Sequence, residues 1–158
     1  NNVVTIPCVT EEGVLEGVIT IGDITKSYMN LYDSSIISKA NTKYSNILDT
    51  LEGSIVVGDA EAYFDKGKVL IAAANPDLME NYIEKHDLVI LGNRYESQLC
   101  AIEMEAGCII VCEGAGVSLT IRKLAQERGC TVITTPYDTY TTARLINQSM
   151  PISYFMTM

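Results

Sequence analysis

A hydroxyl and a carboxylate stand close together in the stretch GVITIGDIT, residues 17–25. Thr20 sits near the end of a β-favouring run with Val18, Ile19 and Ile21, and Asp23 follows Gly22, where a helix can start. A helix N-terminus presents free N–H groups and partial positive charge, which suit a phosphate. At such a turn Thr20 could donate its hydroxyl to a phosphate oxygen. Asp23 could accept from the two hydroxyls of a ribose, each hydrogen bond to a charged group contributing about 1.5–3 kcal/mol. The same residues also make an ordinary strand-to-helix turn, with Thr20 in the strand and Asp23 as the helix cap. Spacing alone leaves both readings open and favours the cap, because short motifs match often by chance.

The surrounding elements must position these groups. Residues 3–9 (VVTIPCV) read as a strand, residues 10–13 (TEEG) as a turn, and residues 14–21 as a second strand, so the pair is expected as a hairpin. Asp23 can start a helix running to about Tyr32. Residues 33–42 (DSSIISKANT) are polar and weakly patterned and read as a linker. A different texture follows. Tyr44, Ile47, Leu48 and Leu51 have helical spacing, with Gly53 as the stop. Residues 54–57 and 69–73 read as strands, and Asn75-Pro76 opens a helix with Leu78, Met79, Tyr82 and Ile83 as its apolar positions. Three continuous apolar runs at 88–91, 108–112 and 131–134 then alternate with helices at about 95–106, 117–128 and 139–148. Runs apolar on both faces between amphipathic helices indicate a mainly parallel sheet flanked by helices, with right-handed crossovers. The fold class is α/β.

Composition narrows the function. The chain has 158 residues, 47% of them hydrophobic, enough for a buried core. Its net charge is −9 without any basic stripe, which disfavours nucleic acid but not a locally held phosphate. No apolar run reaches the roughly 18 residues that a membrane span needs. Five cysteines without a CxxC pair, and a single histidine, His86, read as reduced cytoplasmic thiols rather than a metal site. The chain starts without Met and ends in Tyr154-Phe155-Met156-Thr157-Met158, so it is expected to be a piece of a larger protein.

The hairpin with an acidic turn, closing on Gly17-Val18-Ile19-Thr20 and Asp23 and preceded by Ile6-Pro7-Cys8-Val9 and Gly13, resembles the second half of a CBS motif. The resemblance implies that Thr20 and Asp23 contact the phosphate and ribose of an adenine nucleotide, and that the strand with Pro7 and Cys8 lines the adenine pocket. The first strand and helix of that motif are expected upstream of Asn1. Residues 43–148 resemble a DRTGG domain, through Leu91-Gly92-Asn93-Arg94-Tyr95-Glu96 with Gln98, Glu113-Gly114-Ala115-Gly116-Val117-Ser118, and Thr139, Thr141 and Thr142. Residues 149–158, with Pro151, Ile152 and Met156, resemble the start of a second CBS motif.

The expected division is therefore 1–32 (C-terminal half of a first CBS motif), 33–42 (linker), 43–148 (DRTGG-like domain) and 149–158 (start of a second CBS motif). A DRTGG domain between two CBS motifs resembles the regulatory insert of the CBS-containing, manganese-dependent (family II) inorganic pyrophosphatases. That implies a regulatory piece with no catalytic residue and no metal ligand of its own, manganese being expected only in the absent catalytic part. It further implies AMP or ADP as inhibitors, ATP or diadenosine polyphosphates as activators, and a homodimer paired through CBS motifs.

Two other readings compete. A small α/β enzyme could use the Gly114 turn for phosphate chemistry, or the chain could be a dimerisation module that binds no ligand. Gly114-Ala115-Gly116 lacks the Lys-Ser/Thr of a P-loop and the third glycine of a dinucleotide fingerprint, so a tight strand-to-helix turn is favoured. Ser118 has no neighbouring histidine to activate it. Asn93 and Arg94 follow a strand's carboxyl end, where open α/β sheets bind ligands, and a structural role there is at least as well supported.

Overall fold

Short runs rich in β-branched residues and leucine form the centre of the sheet. The computed structural model describes the backbone of Thr5–Val9 and Leu15–Thr20, and residues 34–72 and 76–151, with the side chains of all but Pro76 and Asp77 in the latter two ranges. Asp23 and the helix it was expected to start lie outside the described residues, as does the tail from Ile152. The chain divides between Asp33 and Ser34 into two compact units.

In the first unit, β1 (Thr5–Val9) pairs antiparallel with β2 (Leu15–Thr20) as the expected hairpin. The second unit contains α1 (Ile36–Lys39), β3 (Thr42–Lys43), α2 (Tyr44–Leu51), β4 (Ser54–Val57), β5 (Tyr63–Phe64), β6 (Val69–Ile71) and α3 (Pro76–Met79). It continues with β7 (Leu88–Leu91), α4 (Tyr95–Glu103), β8 (Cys108–Val111), α5 (Leu119–Arg128), β9 (Thr131–Thr134), α6 (Thr139–Leu145) and a 3-10 turn, Ile146–Ser149. Five strands form one sheet in the order β4-β9-β8-β7-β6. Strands β6 to β9 run parallel, and β4 runs antiparallel against β9 at the edge. Strands β3 and β5 form a separate antiparallel pair.

Alternation along each strand feeds two helical layers. Val89, Leu91, Ile109, Val111 and Val132 pack with Met79 and Ile83, with Ala101 of α4, and with Ile121 and Ala125 of α5. The intervening residues Leu88, Ile90, Cys108 and Ile110 are also fully buried. They face the layer of α1, α2 and α6, where Cys112 Sγ lies 3.5 Å from Thr142 Oγ1 and Thr135 Oγ1 donates to Leu51 O at 2.7 Å. Each fully buried leucine or isoleucine contributes about 1.5–3 kcal/mol by leaving water. Burial on both faces explains why these strands read as unbroken apolar runs.

The segment expected as a linker is, from Ser34 onward, part of this unit. Ile36 and Ile37 are 1% and 0% exposed, Ser38 Oγ donates to Gly67 O at 2.6 Å, and Thr42 Oγ1 donates to Ile37 O at 2.9 Å. Two adjacent isoleucines are too short a pattern to reveal a one-turn helix, and the hydroxyls that made the segment look solvated satisfy buried carbonyls. The helix over 44–51 stands as expected, but the left-handed residue that ends it is Glu52 (φ 49°), one position before Gly53. A Cβ on Gly53 would come within 2.8 Å of Thr134 O, so the glycine serves close strand contact. The expected helix ends at Met79, so Tyr82 falls beyond it, and the apolar positions Leu78 and Tyr82 are 47% and 54% exposed.

Asp87 links β6 to β7 from within the core. It is 1% exposed, its Oδ1 accepts from Lys68 N at 3.0 Å, and its Oδ2 accepts from Lys68 Nζ at 2.6 Å and Glu84 N at 2.9 Å. A buried carboxylate is tolerated only when paired and hydrogen-bonded in this way.

Candidate functional site

The nucleotide candidates divide between the two strands of the hairpin. Thr20 is the last residue of β2 and pairs with Thr5; Pro7 pairs with Val18 and Cys8 with Gly17. Proline offers no N–H, and in a two-stranded sheet a residue can turn that deficit away from the ladder. The register shifts between Cys8 and Val9, at the end of β1. The backbone thus places Pro7 and Cys8 across from the strand that ends in Thr20. Asp23 lies outside the described residues.

The carboxyl edge of the parallel strands carries the other expected candidates. The turn after β8 is tight, with Glu113 at φ 63° and Gly114 at φ 67°. Two of the N–H groups that a phosphate cradle would offer are already engaged: Glu113 N donates to Tyr137 O at 2.7 Å and Gly114 N to Thr135 O at 2.9 Å. Ser118 caps α5, accepting from Ile121 N at 3.3 Å. Asp138 caps α6, and accepting the Thr141 N–H at 2.6 Å holds its carboxyl below the ordinary carboxylate range. These hydroxyl and carboxylate groups therefore close helix ends. Arg94 immediately precedes α4 without a side-chain cap, and its guanidinium makes no ion pair among the described residues.

Two neighbouring clefts open at the opposite, amino edge, sharing Gly129 and Thr131. One, of about 410 Å³, lies between the end of β4 and the C-terminal turn of α5. The other, of about 250 Å³, is lined by residues that include Tyr44, Lys66 and His86. Burial pushes the Tyr44 phenol well above its ordinary range. These residues carry no shared motif in the sequence, because they come from many separate segments.

Cys100, Cys108, Cys112 and Cys130 are free and buried. Burial pushes Cys108 up and Cys130 up to about 12, the opposite of what a reactive thiolate needs. Among the described residues no group of three or more His, Cys, Asp or Glu side chains could hold a metal ion, and no helix is long and apolar enough to cross a membrane.

The DRTGG domain family matches residues 46–149. The chain is 38% identical over 156 residues to the cobalt-dependent inorganic pyrophosphatase of Clostridium perfringens, across 99% of this chain and 28% of that protein. It is 26% identical over 151 residues to a probable manganese-dependent inorganic pyrophosphatase of Thermotoga maritima, across 96% of this chain and 27% of that protein. The chain therefore spans little more than a quarter of the length of these relatives. The crystal structure of the CBS and DRTGG domains of the regulatory region of the C. perfringens pyrophosphatase, complexed with the activator diadenosine tetraphosphate, superposes with a TM-score of 0.77. Its identity to this chain is 37%, across 96% of this chain and 66% of that one. Sequence and fold alike match the regulatory region of a pyrophosphatase.

Proposed function

This chain belongs to the DRTGG domain family, and we propose that it is the nucleotide-sensing part of an inorganic pyrophosphatase that hydrolyses diphosphate to phosphate. The observation that carries the reading is the likeness, over 96% of this chain, to a regulatory region bound to diadenosine tetraphosphate. The ligands are adenine nucleotides, with AMP or ADP lowering activity and ATP or a diadenosine polyphosphate raising it. Thr20 and Asp23 hold phosphate and ribose, and Pro7 and Cys8 line the base. The catalytic metal belongs to the rest of the protein; relatives named for cobalt and for manganese leave a divalent ion as the common class. The parent protein is a cytoplasmic homodimer paired through CBS motifs.

Regulation on this reading is a bias between two arrangements. A nucleotide shifts the equilibrium only as far as its affinity differs between them, and the catalytic part reads the result. An activator and an inhibitor sharing one cleft must therefore favour different arrangements.

Calorimetric titration of the full-length protein with AMP, ADP, ATP and diadenosine tetraphosphate tests this. Replacing Asp23 by Ala removes one or two charge-assisted bonds and is expected to weaken binding about 10- to 100-fold. Thr20→Ala is expected to weaken ligands through the phosphate. A full-length protein that binds none of the four nucleotides would sink the proposal.

A further inference from the structure

The smaller cleft at the amino edge, of about 250 Å³, gathers polar groups that the fold leaves idle. Tyr44 and Thr131 line its buried side; they are 6% and 8% exposed, and their hydroxyls are hydrogen-bonded to each other. Burial keeps the Tyr44 phenol protonated, so it stays a neutral hydroxyl. Asp65, Lys66 and His86 line the same cleft and are exposed. Lys43, Lys68 and Lys85 each pair with a carboxylate, but Lys66 has no ion pair among the described residues. The Asp65 carboxylate and the His86 imidazole make no ion pair or hydrogen bond there either, although Asp65 stands near enough to Tyr44 to raise its phenol further.

The main chain holds His86 in an unfavourable conformation. At φ 75° it is left-handed, which an ordinary residue sustains only where its surroundings fix it. Two loops do so here. His86 N donates to Glu105 O at 2.9 Å, and Gly67 and Gly107 both pack bare against His86 O. A Cβ at either glycine would collide with that oxygen, at 2.7 Å for Gly107. The Gly67 contact also anchors its chain neighbour Lys66 beside His86. Residues held under strain in this way cluster at ligand sites.

Lys66 offers an ammonium, and the imidazole offers an N–H in either protonation state. Both donate, which suits an oxyanion. Asp65 only accepts, and its charge repels an anion that has no proton to give. An oxyanion that keeps one proton meets both demands. Sulfate has none near neutral pH, and a phosphate monoester loses its last one near about pH 6. Free inorganic phosphate still carries one.

We propose that this amino-edge cleft binds inorganic hydrogen phosphate, with Lys66 and His86 donating to its oxygens and Asp65 accepting from its hydroxyl. The site lies in the α/β unit, apart from the nucleotide groups of the hairpin and at the opposite edge of the sheet from the Gly114 turn. Phosphate is also the product of diphosphate hydrolysis, so on the function proposed above, and only on it, the cleft reports product.

His86 is the only histidine of the chain, so its ring signals in an NMR spectrum report on this cleft without ambiguity. Titration with sodium phosphate at about pH 8, where a monoester has lost its proton, and at constant ionic strength is expected to shift those signals saturably. Sulfate and glycerol phosphate are expected to bind at least about tenfold more weakly, each lacking the hydrogen bond to Asp65. Lys66→Met is expected to weaken phosphate at least about tenfold. Asp65→Asn is expected to raise the affinity for sulfate toward that for phosphate. Lys66 and Asp65 are exposed, so the amide spectrum is otherwise expected to stay that of the folded wild type. Lys123→Met, at an exposed lysine of α5, and Asp23→Ala are expected to leave phosphate binding unchanged. The Asp23 variant separates this cleft from the nucleotide site, so either can fail without the other. A shift that sodium chloride reproduces would overturn the proposal. So would wild-type protein that holds sulfate as tightly as phosphate, or phosphate affinity that Lys66→Met leaves intact.

Discussion

The hairpin and the α/β unit divide fold from function unequally. Two strands and one ladder make up the described part of the first; five strands covered on both faces make up the second. An isolated two-stranded hairpin is marginal in water, whereas a sheet with two packed faces supports itself. Yet the residues proposed to recognise a nucleotide lie in or just after the hairpin, and the polar groups at the carboxyl edge of the α/β unit are largely used up in capping helices and closing turns. A region that satisfies its own hydrogen bonds is a good scaffold and a poor receptor. Recognition groups have to be left without internal partners, which suits them to the thinner element.

Removing Asp87 is expected to have the largest effect on the scaffold side of this contrast. Asp87→Ala leaves the Lys68 ammonium and the Lys68 and Glu84 N–H groups without the carboxylate that binds all three. Breaking such a buried pair costs about 3–5 kcal/mol, here toward the lower end because Lys68 keeps 31% of its side chain in solvent. Denaturant unfolding measures the loss. Peptide-resolved hydrogen exchange shows where it falls, and strands β6 and β7 are expected to open first. Loss of protection in the hairpin equal to that in the sheet would mean that the two regions unfold as one, and the contrast would fail.

How legible each region was in the sequence follows the same division. Leu88–Leu91 and Thr131–Thr134 could be read to the residue, because a strand buried on both faces admits little except β-branched residues, leucine and other small or apolar groups. The antiparallel direction of β4 was not readable, since its residues Ser54–Val57 have the same composition in either direction. Helix α1 was hidden because its hydroxyls pair with main-chain carbonyls, a fact of tertiary structure that no local pattern carries. The two-residue strands β3 and β5 are too short for any periodicity. At the proposed site, Thr20 and Asp23 were legible as a motif only beside their neighbours. Their spacing alone is equally that of a capped turn.

Thiol chemistry reads the two regions apart in a single experiment. The four cysteines of the α/β unit are buried, and a thiol reagent is expected to reach them only as fast as the unit unfolds. If Cys8 lines the base as proposed, bound adenine nucleotide is expected to slow whatever labelling that thiol undergoes. Burial also makes stability depend on pH. The folded state keeps the protons of Cys108 and Cys130 at a pH where the unfolded chain has lost them. Their contribution is complete below about pH 8.5, the ordinary thiol value, and each thiol then removes up to about 1.4 kcal/mol per pH unit. For Cys130 the decline continues toward about 12. Denaturation midpoints between neutral and alkaline pH measure the slope, and Cys130→Ala is expected to flatten it. An alkaline slope that this change leaves untouched would assign the effect to other groups.

The smallest change tests whether a capping residue in the α/β unit is only a cap. Ser118 accepts the Ile121 N–H at the start of α5, beside the Gly114–Gly116 turn that a phosphate-handling enzyme would have used. As a cap its loss costs about 1 kcal/mol, because one N–H in the first turn of the helix loses its partner. Ser118→Ala is therefore expected to lower the midpoint of unfolding slightly, while Ser118→Asp, which can still accept that N–H, restores most of it. Nucleotide affinity is expected to stay the same in both variants. If Ser118→Ala instead weakened a nucleotide as strongly as Asp23→Ala does, the receptor would extend into the scaffold. The carboxyl edge would then have to be read as part of the binding site, and the engaged N–H groups of Glu113 and Gly114 would have to come free when ligand binds.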